Sequence, residues 1–294
     1  MAVKKMKYGI IANPVSGKRS LDDKHKILNE VADILKDVTI AGLDTKSPEE
    51  LSRCAHELSQ TVEILIVAGG DGTLSLVMNN VPKEVPLGYL PFGSGDVLRH
   101  TFNLPRCPKE NARLIQAGTE HVIDAICCDG KTKALFASIG IEGSILLERN
   151  KYLENDLVGF TAYGLATFKI LFAGFVNADL QVSMDRKEVT TPNALTAVIT
   201  KLPYYGYGFK VVPQAQLDDG YLHLLILNVG PVGTLYALAT SLMGGNRIGE
   251  YYRAREIDIT SSTLQLLQHN GDPEEEKRTH FSFKVLPKEL KIIF

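Results

Sequence analysis

The residues best suited to chemistry fall in three short turns within the first hundred positions. Gly69-Gly70-Asp71-Gly72-Thr73 brings three glycines within four residues, so backbone amides can approach a polyphosphate with no side chain in the way. Asp71 is placed to hold Mg²⁺ or to orient a hydroxyl, and Thr73 opens the helix that follows. Asn13-Pro14-Val15-Ser16-Gly17-Lys18 offers backbone N–H groups, the Ser16 hydroxyl and the Lys18 ammonium to phosphate oxygens. Its plainer reading is a strand-to-helix loop in which Pro14 and Gly17 only supply geometry. Gly93-Ser94-Gly95-Asp96 repeats the design a third time. Phosphoryl transfer demands little covalent chemistry, so glycine turns, Mg²⁺, a lysine and one base at the acceptor hydroxyl suffice for it. Other chemistries lack their residues: there is no GxxxxGK followed by Ser or Thr, no GxSxG and no HExxH, and the seven histidines show no metal-ligand spacing.

The elements that must position these turns alternate as in a parallel sheet with crossover helices. Tyr8 to Ala12 reads as a strand, and Ser20 caps a helix whose apolar positions Ile27, Leu28, Val31, Ile34 and Leu35 recur at helical spacing. Val38 to Ala41 is a second strand, and Ser47-Pro48-Glu49-Glu50 starts a capped helix. Val62 to Ala68 is the apolar, β-branched run of a strand buried on both faces, and it leads straight into the Gly69 turn. Pro86 to Phe92 is another strand, followed by the Gly93 turn and a helix through His100. This βαβαβ logic puts the glycine turns on the carboxyl edge of the sheet. From about Glu120 the pattern changes to short β-type runs at 122–127, 134–139, 178–184, 194–200, 220–227, 256–260, 264–268 and 281–285, with helical insertions near 142–174 and 231–243. The expectation is an α/β chain: a Rossmann-like three-layer domain over 1–120, then an antiparallel β-sandwich-type domain over 121–294 whose last residues return to the first. A ligand cleft is expected between the two.

Composition bounds the partners. The 294 residues carry 32 Lys and Arg against 34 Asp and Glu, a net charge of -2, and 45% are apolar. No basic excess exists to grip a phosphate backbone, which excludes nucleic acid as a non-specific partner. The four cysteines, Cys54, Cys107, Cys127 and Cys128, form no CxxC pair, so neither a zinc site nor a disulfide framework is expected, and adjacent Cys127 and Cys128 should alternate across a strand. The apolar stretch of the basic N-terminus is too short for a signal sequence, which points to a cytoplasmic address. Leu157 to Val176 carries Lys169 as its only charge; its glycines, threonines and central lysine favour a buried core helix over a membrane span, with an acyl-chain wall as a third option.

Taken in order, Asn13-Pro-Val-Ser-Gly-Lys, Gly69-Gly-Asp-Gly-Thr and Pro91-Phe-Gly-Ser-Gly-Asp resemble the NPxSG, GGDGT and PxGTxN series of the diacylglycerol kinase catalytic-domain family, which includes bacterial lipid kinases, sphingosine kinases and ceramide kinases. The likeness runs through nearly the whole chain: Ser138-Ile-Gly-Ile-Glu142-Gly is similar to the family's GxGxDA segment, and Leu217-Asp-Asp219-Gly220-Tyr-Leu to its DDGxL strand entry. Asn270-Gly271-Asp272 sits where the family has Asp-Gly-Glu. The resemblance implies a two-domain lipid kinase of phospholipid metabolism. The turns bind ATP and Mg²⁺, Glu142 lies at the acceptor, a structural Mg²⁺ maps to Asp219, and the 270–272 turn supplies the acid that activates a lipid hydroxyl. Asp219 also fits a plain hairpin turn.

Departures from the pattern matter as much. Ser75 and Leu76 replace the family's Asn and Glu after GGDGT, and Asp96 replaces an Asn, adding a negative charge near the nucleotide. Asn270 replaces the Asp of DGE; an amide is no general base, Asn-Gly is itself a strong hairpin signal, and Asp272 is left as the substitute base. The expected activity is transfer of the γ-phosphate of ATP to a diacylglycerol- or sphingoid-like hydroxyl, with impaired rate. The alternatives are an NAD kinase, which shares GGDGT, and a catalytically weakened nucleotide- or lipid-binding regulator. Peripheral membrane contact would rely on apolar surface, and a homodimer is compatible with the sequence without being specified by it.

Overall fold

Strands built almost wholly from apolar residues need cover on both faces, and the first half of the chain supplies it with helices on each side of a parallel sheet. In the computed structural model, residues 6–153, 159–172, 175 and 177–294 are described. The chain divides into one unit of Met1–Ile123 with Lys288–Phe294 and a second of Asp124–Pro287. The first begins β1 (Tyr8–Ala12), α1 (Leu21–Leu35), β2 (Val38–Ala41), α2 (Pro48–Ser59), β3 (Ile64–Gly69), α3 (Asp71–Asn80), β4 (Leu87–Pro91), α4 (Val97–Thr101) and α5 (Pro108–Ala117). Its strands run parallel in the order β2-β1-β3-β4, and Ile292 and Ile293 pair parallel with Leu87 and Gly88 on the far side of β4.

Alternation across these strands separates two layers. Tyr8, Ile10, Ala12, Ile64, Ile66 and Ala68 pack with Leu28, Val31 and Leu35 of α1 and with Ala112 and Ile115 of α5. The opposite face takes α2, where a side chain on Gly9 would collide with Leu58. Helix starts follow their caps: Ser20 accepts from Asp23 N at 3.1 Å, and Ser47 accepts from Glu50 N at 3.2 Å with Pro48 in the first turn.

The second unit takes over within β5 (Glu120–Cys128) and continues through β6 (Thr132–Ala134), β7 (Phe136–Gly140), α6 (Ile141–Leu153), α7 (Phe160–Phe172), β8 (Ala178–Met184), β9 (Lys187–Ala194), β10 (Thr196–Thr200), β11 (Leu222–Leu227), α8 (Pro231–Leu242), β12 (Glu250–Ala254), β13 (Glu256–His269) and β14 (Asp272–Ile293). One strand organises it. The first half of β13 pairs with β8, the second half with β7, and the register breaks between Thr260 and Gln265. A strand that bends at a bulge can serve two sheets, and here it joins β9-β8 to β12-β11-β10-β7. Apolar residues from both sets, among them Leu180, Val182, Ile199, Leu224, Ile257 and Phe281, form one core.

Several details differ from the sequence reading. The runs at 256–260 and 264–268 are two halves of one strand, and 281–285 lies within a strand of 22 residues. β9 was not expected, because Pro192 and its polar neighbours hide a strand that is exposed along much of its length. The 157–176 segment is not a core helix: α7 buries Ala162, Ala166 and Leu171 but presents Phe160, Leu165, Phe168 and Phe172 to solvent. Residues 157, 158, 173, 174 and 176 of that segment lie outside the described residues. Among the described residues no helix is long and apolar enough to cross a membrane. Cys127 is half-buried and Cys128 buried, as alternation across β5 requires.

Candidate active site

The sheet of the first unit reverses its winding at β1, with β2 on one side and β3 on the other. Loops that leave neighbouring strand ends in opposite directions at such a point open a crevice suited to a ligand. Three turns meet there through their backbones. Asn13 Nδ2 donates to Thr73 Oγ1 at 2.9 Å, and Asn13 Oδ1 accepts from Val15 N at 3.0 Å. Gly69 O accepts from Phe92 N and Gly93 N at 3.0 and 3.2 Å. Gly17 has φ +70°, and a Cβ on it would stand 2.0 Å from Phe92 O. A Cβ on Gly93 would stand 2.5 Å from Gly70 Cα. Glycine at these positions is therefore what lets the turns touch one another.

Around this junction, Ser16, Gly72 and Gly95 are half-buried, and Lys18 and Ser94 are exposed. Asp71 heads α3, where a carboxylate is favoured by the helix dipole, and its Oδ1 accepts from Val97 N at 2.8 Å, tying the second turn to the third. Two cations were not anticipated. Lys24, 1% exposed, bonds the carbonyls of Asn13 (3.3 Å) and Pro14 and so holds the first turn from below. Its sequence signal is a lysine on the stripe 24, 28, 31, 35 that α1 otherwise fills with apolar residues. Arg19 lies with its guanidinium 4.9 Å from the Phe92 ring centre.

Asp96 caps α4 in the left-handed region at φ +47° and is buried. Burial pushes its carboxyl up to about 6, against the pull of the Tyr89 hydroxyl bonded at 3.0 Å, of Arg99, of a Gly93 backbone bond and of Arg19. The family's neutral Asn is thus replaced by an acid that holds its proton to about pH 6 and carries its charge above that.

In the second unit the 270–272 turn is a two-residue hairpin linking β13 to β14, with His269 opposite Asp272 and φ of +52° at Asn270 and +88° at Gly271. Asn270 is 4% exposed, and its Oδ1 accepts from Leu135 N at 2.8 Å and Phe136 N at 3.4 Å. Its side chain is committed to the backbone. Asp272 is exposed in a recess where surrounding protein raises its carboxyl, offset by His269 and by Arg149. A chain of bonds leads inward from this turn: Gly271 N donates to Gln268 Oε1 at 3.0 Å, and Gln268 Nε2 donates to Ser138 Oγ at 2.8 Å. Ser138 and Thr196 bond Glu142, whose carboxyl burial pushes up to about 7. Tyr163 and Tyr205 stand close enough to feel its charge, and their hydroxyls are raised, first by burial. Gln268 and Arg149 carry no spacing signal in the sequence. Asp219 does not join this chain; its Oδ1 accepts from Lys201 Nζ at 2.7 Å.

Residues 7–128 match the family described as diacylglycerol kinase catalytic domain, and residues 138–294 match the one described as YegS C-terminal NAD kinase beta sandwich-like domain, which alone spans more than half of the chain. The chain belongs to the diacylglycerol kinase catalytic-domain family. It is a phosphotransferase of the lipid kinase kind. A diacylglycerol kinase of Staphylococcus saprophyticus is 27% identical over 276 residues, covering 90% of this chain and 88% of that protein, and one of Staphylococcus carnosus is 27% identical over 277 residues, covering 90% and 87%. The crystal structure of a diacylglycerol kinase from Bacillus anthracis str. Sterne superposes with a TM-score of 0.76 at 19% identity, covering 99% of this chain and 98% of that one. An NAD kinase from Archaeoglobus fulgidus in complex with ATP shares the fold more distantly, with a TM-score of 0.52 at 12% identity over 98% and 94% of the two chains.

Two outcomes follow for this kinase. The unfolded chain ionises Asp96 near 3.8 while the folded one holds the proton to about 6, so stability is lost as pH rises through that interval and stays lost above it. Asp96→Asn is expected to stabilise the protein at pH 8 by about 1–3 kcal/mol in urea denaturation, with the gain gone by about pH 4. At the hairpin, Asn270→Ala strands two buried amides and costs about 2–3 kcal/mol, whereas Asn270→Asp keeps the acceptor and stays within about 1 kcal/mol of the parent; thermal melts of the two variants check this.

Proposed function

We propose that the protein is an ATP- and Mg²⁺-dependent kinase that moves the γ-phosphate to the hydroxyl of a diacylglycerol- or sphingoid-like lipid. The observation that carries this reading is the junction of three glycine turns at the switch point of the parallel sheet, with Asp71 at the head of α3. The amides of Gly17, Gly70, Gly72 and Gly95, the hydroxyls of Ser16, Ser94 and Thr73 and the ammonium of Lys18 are the donors for the triphosphate, with Asn13, Gly69, Gly93 and Lys24 fixing the loops that carry them. Magnesium ordinarily takes one or two carboxylates and completes its shell with phosphate oxygens and water. Asp71 fits that donor set, and among the described residues no group of three or more His, Cys, Asp or Glu forms a pre-built metal site. When bound, the ion neutralises charge on the β- and γ-phosphates.

On the acceptor side, Asp272 takes the hydroxyl proton as the oxygen bonds to the γ-phosphorus and the bond to ADP breaks. A carboxyl whose pKa is raised by the protein around it is a stronger base than one in open solvent, which suits this role. Glu142, near half-protonated at neutral pH, can both donate to and accept from a neutral lipid hydroxyl. Arg149, beside Asp272, is the cation available to a headgroup or a transferring phosphate. Labelled-ATP transfer over diacylglycerol, monoacylglycerol, sphingoid and phosphatidylglycerol acceptors plus NAD tests the reading. Lipid labelling is expected, with Asp272→Asn lowering kcat about 10²- to 10⁴-fold at unchanged KM for ATP. NADP formation alone would replace the lipid acceptor with NAD.

A lipid acceptor resides in a bilayer, and the net charge of -2 gives no polybasic anchor. Contact therefore falls to apolar surface: Phe160, Phe168 (64% exposed) and Phe172 on α7, and Val232, Leu235 and Met243 (82% exposed) on and just after α8. The reading is of a cytoplasmic protein that docks peripherally. Phe168→Asp combined with Met243→Asp is expected to cut the fraction sedimenting with phosphatidylcholine vesicles about tenfold, while turnover of a soluble short-chain acceptor is retained.

A further inference from the structure

We infer that Lys201 is a built-in cation that takes the place of a structural divalent ion at the entry to β11, so that this loop folds without metal. The resemblance assigns a structural Mg²⁺ to Asp219, but Asp219 Oδ1, Asp124 Oδ2 and the Tyr221 carbonyl, three of the oxygens that would hold it, already face a lysine. Lys201 is 0% exposed, and its Nζ donates to Asp219 Oδ1 at 2.7 Å and to the Tyr221 carbonyl at 2.5 Å, and stands 3.1 Å from Asp124 Oδ2. An ammonium has three N–H donors and no acceptor, and it meets three oxygens here, so its hydrogen-bonding capacity is filled. A Mg²⁺ bonded to the same oxygens at about 2.0–2.1 Å would be forced against that ammonium, with three positive charges facing two carboxylates.

The surroundings close most of the cage and leave Asp219 Oδ2 as its one buried oxygen without a hydrogen-bond partner among the described residues. Asp124, 1% exposed, also accepts from Gly220 N at 2.8 Å, and its backbone N donates to Leu217 O at 2.8 Å. Tyr221 N returns to Asp219 Oδ1 at 3.2 Å. Lys201 N is held by Leu135 O at 2.8 Å, so the cation is fixed from the end of β10 while its ligands come from β5 and the 217–221 loop. His223, beside Asp219 Oδ2 at 3.4 Å, is not a second cation. Its Nε2 accepts from Gln216 N at 3.0 Å, its Nδ1 meets Tyr251 Oη at 2.7 Å, and burial lowers its pKa. Arg253 and Arg255 lie over the Tyr221 ring, outside the cage. Without Lys201, two carboxylates and a carbonyl would face each other in a buried space, which is a hard oxygen-donor set for a divalent cation. The sequence offers the exchange at a single position.

Thermal unfolding of the nucleotide-free protein tests this without any assay of activity. The wild-type midpoint is expected to agree within about 1 °C between EDTA and millimolar MgCl₂ at matched ionic strength. Lys201→Asn, which removes the charge and adds a neutral oxygen donor, is expected to melt about 6 °C or more lower in EDTA and to recover at least half of that with Mg²⁺ or Ca²⁺. A folded Lys201→Asn that ignores divalent ions overturns the inference. Should that variant not fold, Mn²⁺ binding to the wild type by electron paramagnetic resonance decides: a bound ion lost on Asp219→Asn overturns it, and no such ion supports it.

Discussion

Backbone has to touch backbone where the three glycine turns of the first unit meet. Phe92 O occupies the space a Gly17 side chain would need, and Gly70 and Gly93 meet at their α-carbons. A methyl group at any of these points would force the loops apart. Everything else at that sheet edge serves to keep the contact: Asn13 bridges to Thr73, Asp71 reaches Val97, and Lys24 pins the first turn from beneath. The turns behave as one surface because their backbones touch at the glycines and short side-chain bonds tie them on either side.

Three acids, Asp96 buried and Glu142 and Asp219 half-buried, show how one functional group is given different properties by its neighbours. Asp96 and Glu142 are bonded mainly to hydroxyls, so burial dominates and both hold their protons to unusually high pH. Asp219 has the Lys201 ammonium at 2.7 Å, which outweighs its own burial and holds its carboxyl below the usual value. A neutral acid can donate a hydrogen bond, whereas an ionised one fixes a cation. The first kind lies among the residues suited to ligands and the second in the frame.

Much of this was legible in the sequence because local signals and tertiary demands agreed. Apolar runs ending in glycine turns marked β1, β3 and β4, and caps at Ser20 and Ser47 marked their helices. The rest depended on contacts distant in sequence. Gln268 finds Ser138 across 130 positions and Asn270 finds Leu135 across 135, so spacing along the chain carries no trace of either. Lys201 looks like an ordinary strand-end lysine until Asp124 and Asp219 close around it. Lys24 was readable in principle, as a charge on an apolar stripe, but periodicity alone does not say whether such a lysine is solvated or buried. β9 and α7 show the reverse failure, where composition misled: Pro192 concealed an edge-like strand, and an apolar helix kept its phenylalanines outside.

The partner of β4 on its outer side is supplied by Ile292 and Ile293, residues that follow the whole of the second unit along the chain. A ribosome releasing this protein from its N-terminus therefore completes the β2-β1-β3-β4 layer long before the strand that closes its edge has been made. In that interval β4 is an unpaired apolar edge, the kind of surface that invites wrong pairing or a chaperone. Contacts of such sequence separation also slow folding, since a large loop must close before they form. The unit that carries the glycine turns is thus the first to be written and the last to be finished.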